Sequence, residues 1–178
     1  MDKLTPKDTS KGAEEIVLTQ IKQDFITPAN AIFDYVDIVE KFLNDAELVS
    51  DDEIAQIKSS CTHLIEQYEV AFVQNTGANA EDAKKSPEEY SELRHNLRTP
   101  LNAIIGYSEI LMEDYEDDLE ESAIEDFQQI INLARETEKA IEVFVDYIRG
   151  EAIDPNNDNA SNQLESAESL FKSLGDIE

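Results

Sequence analysis

Tryptophan is absent from the 178 residues, cysteine occurs once, and glycine and proline occur five times each. The single thiol, Cys61, has no partner in the chain. A disulfide scaffold is therefore excluded, and the expected compartment is the reducing cytoplasm. Glycine this sparse excludes collagen-like and Gly-rich architectures. Basic residues are scarce as well: 14 Lys and Arg stand against 41 Asp and Glu, a formal net charge of -27. Nucleic-acid binding draws on cations that displace counterions along phosphates, and anionic lipid surfaces recruit the same charge. Neither nucleic acid nor a membrane is expected as a partner. No uncharged apolar run approaches the roughly 20 residues that span a bilayer. The opening Met1-Asp2-Lys3-Leu4-Thr5-Pro6 lacks the apolar stretch of a signal peptide.

Alternating β patterns are missing too, and what remains is helical periodicity. Residues 1–12 show none and read as a flexible lead-in. Over 13–73, Ile21, Phe25, Pro28, Ile32, Tyr35 and Val39 recur at steps of four and three, which predicts a first helix from about Glu14. Ser50 and its acidic neighbours break that pattern. Ile54, Ile57, Cys61, Leu64, Tyr68 and Ala71 then mark a second helix from near Asp51, close enough for an antiparallel hairpin.

Residues 74–85 have no apolar stripe and read as a linker. Ser86-Pro87-Glu88-Glu89 supplies a capping Ser, a Pro for the first helical position and acids suited to the helix dipole. A second hairpin over 86–150 follows, with Leu93, Leu97, Pro100, Ile104, Tyr107 and Leu111 on its first helix. Beyond the acidic stretch Glu113–Glu121, its second helix carries Ile124, Phe127, Ile131, Ala134, Ile141, Phe144, Val145 and Ile148 and stops at Gly150. Residues 151–178 read as a linker and an amphipathic segment bearing Leu164, Ala167, Leu170, Phe171, Leu174 and Ile177. That segment would dock on the bundle, pair with another molecule or lead into a further domain.

The hairpins are related. A shift of 72 residues places Thr27-Pro28 on Thr99-Pro100, Asn30-Ala31-Ile32 on Asn102-Ala103-Ile104, Tyr35 on Tyr107 and Ile38 on Ile110. The second helices align at a shift near 70, with Ile54 on Ile124, Ile57 on Phe127 and Cys61 on Ile131. Two homologous hairpins, each with a seam it cannot bury alone, predict an all-α antiparallel four-helix bundle with a pseudo-twofold axis.

His95 lies two residues from each of Leu93 and Leu97, about 200° around the helix, and so faces solvent. A solvent-facing imidazole is the side chain that titrates through physiological pH, and its neutral form is a nucleophile. Pro100 removes a backbone hydrogen bond, kinks the helix and loosens the carbonyl of Asn96. Arg94 and Arg98 flank the histidine in an otherwise acidic chain, where cations would help to hold a phosphoryl group. His63 and Cys61 diverge on their helix and no third ligand is spaced to join them, so no metal site is expected.

The run Leu93-Arg94-His95-Asn96-Leu97-Arg98-Thr99-Pro100-Leu101-Asn102-Ala103-Ile104-Ile105-Gly106-Tyr107-Ser108-Glu109 closely resembles the H-box of the sensor histidine kinases, in their dimerisation and histidine-phosphotransfer domain. With the following helix the resemblance covers residues 88–149. It implies that His95 accepts phosphate and that a response-regulator receiver docks beside it through Ile105 and the Ser108 face, bringing its own Mg²⁺. Thr99 resembles the residue that positions water for dephosphorylating a receiver; equally, its hydroxyl can simply bond back to the preceding turn.

Three departures narrow the function. The family's acid after the histidine is Asn96 here, and an amide is no general base. Nothing resembles the ATP-binding domain, so no cofactor bound by this chain and no autonomous ATP-dependent kinase activity are expected. In the first hairpin Gln23 stands where His95 stands in the second, followed by Asp24 and Thr27, which makes a degenerate site within a one-chain pseudodimer. The expected function is phosphate exchange between His95 and a receiver aspartate in a two-component relay. The alternative is a non-catalytic sensor or dimerisation module ahead of a receiver or cyclase in a longer protein.

Overall fold

A computed structural model describes residues 6–48, 51–76 and 85–150. The expectations for residues 1–5, for 77–84 of the linker and for the linker and amphipathic segment at 151–178 lie outside the described residues. Four helices follow in order: α1 (Pro6–Asp45), α2 (Asp51–Asn75), α3 (Pro87–Asp114) and α4 (Glu121–Arg149). Among the described residues there is no strand, and no helix is long and apolar enough to cross a membrane.

α1 begins at Pro6, inside the stretch expected as a lead-in through residue 12. Once the helix is nucleated further on, each added residue gains a hydrogen bond without needing an apolar stripe, and proline suits a first position. α3 begins as the sequence directs, with one addition. Ser86 Oγ accepts from the Glu89 N–H at 3.3 Å, and Glu89 Oε2 accepts from the Ser86 N–H at 2.7 Å, a reciprocal capping box. α4 ends at Gly150, whose φ of 72° is the left-handed conformation that glycine adopts without strain.

α1 packs against α4 and α2 against α3, the main contacts between hairpins. Within hairpins α3 lies close to α4, and α1 more loosely along α2. This is the cyclic order of an antiparallel four-helix bundle, with α1 and α3 on one diagonal. Tyr68 of α2 stacks on Phe25 of α1, centroids 3.5 Å apart, and meets Phe144 of α4 at 5.0 Å. That aromatic cluster ties three helices together on the inner face. Cys61 is buried there too, and desolvation pushes its thiol up to about 12.

Burial recovers the repeat and corrects its register. Phe25, Pro28, Ala29, Ile32, Val36 and Val39 lie 72 residues ahead of Leu97, Pro100, Leu101, Ile104, Ser108 and Leu111, and all twelve are buried. In the second helices the matching interval is 73, not 70. Ile54, Ile57, Cys61, Leu64, Tyr68 and Ala71 then fall on Phe127, Ile130, Ala134, Thr137, Ile141 and Phe144, again all buried. The shift of 70 would place Ile54 and Tyr68 on the half-buried Ile124 and Glu138. A slip of three residues turns a helix by only about 60°, so apolar spacing alone does not separate the two registers.

Candidate functional site

His95 is exposed two turns into α3, on a ridge between two flanks of different character. Towards α4 stand Arg94 and Arg98. Arg94 Nε lies 2.9 Å from Glu142 Oε2, and its Nη2 lies 3.4 Å from Asp146 Oδ1. Arg98 Nε lies 3.2 Å from Glu138 Oε1, and its Nη2 lies 2.9 Å from Glu142 Oε1. Three carboxylates of α4 thus neutralise two guanidinium groups. Arg94 and Arg98, expected from the sequence to help hold a phosphoryl group, here clamp α3 to α4. Their stations one residue before and three after His95 put them on that side of the helix.

Towards α2 stand Asn96 and Thr99, both exposed. Thr99 Oγ1 donates to the His95 carbonyl at 2.9 Å, the local back-bond to the preceding turn. Pro100 is buried beneath them. Of the two residues expected to meet a partner, Ile105 is half-buried against the core, and Ser108 is fully buried, donating to the Ile104 carbonyl at 2.8 Å. The docking assignment of Ser108 is therefore corrected. It occupies the inward station that Val36 fills in α1, where its hydroxyl bonds back along its own helix. Asn102 and Glu109, near the angular position of His95, are exposed instead, as is Ile110.

A wall of this site comes from the other hairpin. Two adjoining hollows run along the α2/α3 seam, and both are lined by His63, Gln67 and Asn96. Val70, Gln74 and Leu93 complete one; Ser60, Thr99 and Pro100 belong to the other. In the sequence His63 stands out only as a metal partner for Cys61, from which it diverges on the helix. The available signal was a flank of α2 rich in hydroxyl and amide residues, Ser59, Ser60, Gln67 and Gln74, beside an apolar stripe.

The pseudo-equivalent seam, α1/α4, is more tightly packed among the described residues. Where α2 has Gln67, Val70, Ala71 and Gln74, α4 has Ala140, Val143, Phe144 and Tyr147 at the interval of 73. Val70 is 56% exposed and Val143 only 3%. Tyr147 engages Glu14 of α1, and burial, reinforced by that carboxylate, raises its phenol. In the degenerate site Gln23 and Thr27 are exposed. Asp24 is half-buried: one oxygen accepts from Gln20 Nε2 at 2.7 Å, and the other is shut from solvent without a hydrogen-bond partner. Desolvation accordingly raises the Asp24 carboxyl above its ordinary value, opposed by the Gln20 bond.

His95 is thus an exposed histidine early in the first helix of a hairpin that packs on a second hairpin in a four-helix bundle. Residues 88–153, which take in α3 and α4, match the family model of the His Kinase A (phospho-acceptor) domain. That segment therefore carries the phospho-acceptor domain of two-component signalling. No curated protein and no solved structure matches the chain.

Proposed function

We propose that this chain is a histidine-phosphotransfer module that exchanges phosphate between His95 and the aspartate of a response-regulator receiver. The observation that carries the reading is the exposure of His95 next to Asn96, which lines the open α2/α3 seam, inside the segment matched as a phospho-acceptor domain. In the forward step a neutral ring nitrogen of His95 attacks the phosphorus of an aspartyl phosphate. The P–N bond forms, the P–O bond to the receiver carboxylate breaks, and the carboxylate leaves as an anion while the other ring nitrogen keeps its proton. The donor is already an activated acyl phosphate, so the amide of Asn96 is no obstacle, whereas it removes the base expected for attack on ATP. The receiver would supply Mg²⁺ and its acidic pocket, and the exchange would take place in the cytoplasm.

Asn96 also favours a second reading, a non-catalytic signalling module within a longer regulatory protein. Incubation with a phosphorylated receiver separates the two. Exchange gives acid-labile, base-stable label on the chain that disappears in His95→Gln; absence of label with every cognate receiver leaves the non-catalytic reading.

A further inference from the structure

We propose that His63, supplied by the hairpin that lacks a phospho-acceptor, is a positioning residue for phosphoryl exchange at His95. Its imidazolium form places a positive charge on the α2 wall of the seam, facing the flank of α3 that bears Asn96 and Thr99. The inference rests on the relay reading and names a residue that the H-box does not contain.

The charge balance around His95 motivates it. The α3 guanidinium groups are spent on Glu138, Glu142 and Asp146, on the side away from the seam. On the open side, the described residues lining the two hollows include one group able to become a cation, His63, and one acid, Glu66, on its own helix. The α3 wall contributes Leu93, Asn96, Leu97, Thr99, Pro100 and Ala103, none of which titrates. A phosphoryl group entering beside His95 brings negative charge into a protein of net charge -27, so a switchable cation across the seam from Asn96, the residue next to His95, changes the encounter.

Gln67 offers this imidazole a partner suited to either charge state. Its amide Nε2 lies 2.8 Å from His63 Nε2, which suits a neutral ring accepting there. Its Oε1 is shut from solvent without a partner. A half-turn of the amide brings that oxygen onto the ring, where it accepts from the N–H of the protonated form. The equivalent station in α4 is Ala140, so the closed seam has no such amide.

The chain has two histidines, which makes a direct test possible. His95 is phosphorylated chemically with phosphoramidate, its P–N bond breaking as ammonia leaves, and both rings are titrated by NMR. Phosphorylation should raise the apparent pKa of His63 by about 0.5–1 unit, because a nearby anion favours the protonated ring. The shift should be absent in His95→Gln treated identically, which also reports any direct labelling of His63. An unmoved His63 overturns the proposal, whether or not a receiver is known. In the kinetic arm, His63→Gln should slow transfer from a phosphorylated receiver about 3- to 10-fold near pH 6 and leave it unchanged above about pH 8, with His63→Lys restoring the rate. A pH-independent effect assigns His63 a merely structural role. A receiver that transfers no label at any pH defeats the relay reading instead, and the NMR arm still decides His63.

Discussion

α4 and α2 stand at equivalent places in two related hairpins, yet one closes its seam and the other leaves it open. Tyr147 engages Glu14 across the α1/α4 boundary and the buried Phe144 packs on Tyr68 and Phe72, while Ala71 and Gln74 stand at the matching stations of α2. The open seam flanks the histidine; the closed one flanks Gln23. The bundle is thus symmetric in its helix packing and asymmetric along its two seams. A homodimer of identical hairpins has no such freedom, because each substitution appears on both sides. In one chain the degenerate half can specialise in packing and still lend a wall to the working half.

Phe144→Ala gives α4 the residue that α2 already has at that station. It should cost about 3–5 kcal/mol in chemical denaturation, because it removes the ring that packs on Tyr68 and Phe72 and leaves a cavity. A cost under about 1 kcal/mol would mean that the closed seam relaxes like the open one. The valine pair sharpens the contrast. Val143→Ala should destabilise by about 1–2 kcal/mol, and Val70→Ala by no more than about 0.5 kcal/mol, since only the first loses buried surface. Equal effects would erase the distinction between the seams.

Asp24 gives the smallest and most pH-dependent effect. Burial raises its carboxyl, so the fold favours the neutral form and is weakened once pH exceeds the folded-state pKa. Asp24→Asn should therefore raise the melting temperature at pH 7. The gain should shrink as acid protonates Asp24 itself, and vanish below the unfolded value of about 3.9. A gain that persists in acid would trace to something other than this ionisation.

Much of this molecule is legible in the sequence. Apolar stripes placed all four helices, Ser86-Pro87 and Gly150 marked real boundaries, and the shift of 72 paired α1 with α3 in the register that burial confirms. Those signals are local, each written within a few turns of one helix. What escaped depends on neighbours that no single helix specifies. The register of α2 on α4 slipped by three residues because a seam with a 3.5-residue period tolerates that slip. Ser108 looks like a surface residue until Val36 shows its station to be inward. Arg94 and Arg98 stand out as basic only when Glu138, Glu142 and Asp146, some 40 to 50 residues away, are left out of view.

The central claim is that a two-hairpin bundle carries one phosphate site. It is tested most directly by intact-mass measurement after exchange with a phosphorylated receiver, on the native chain, on His95→Gln, and on His95→Gln combined with Gln23→His. The native chain should gain a single phosphoryl group, the first variant none, and the double variant none as well, because its new histidine sits beside a seam closed by Phe144 and Tyr147. Two phosphoryl groups on the native chain, or recovery of labelling in the double variant, would contradict it.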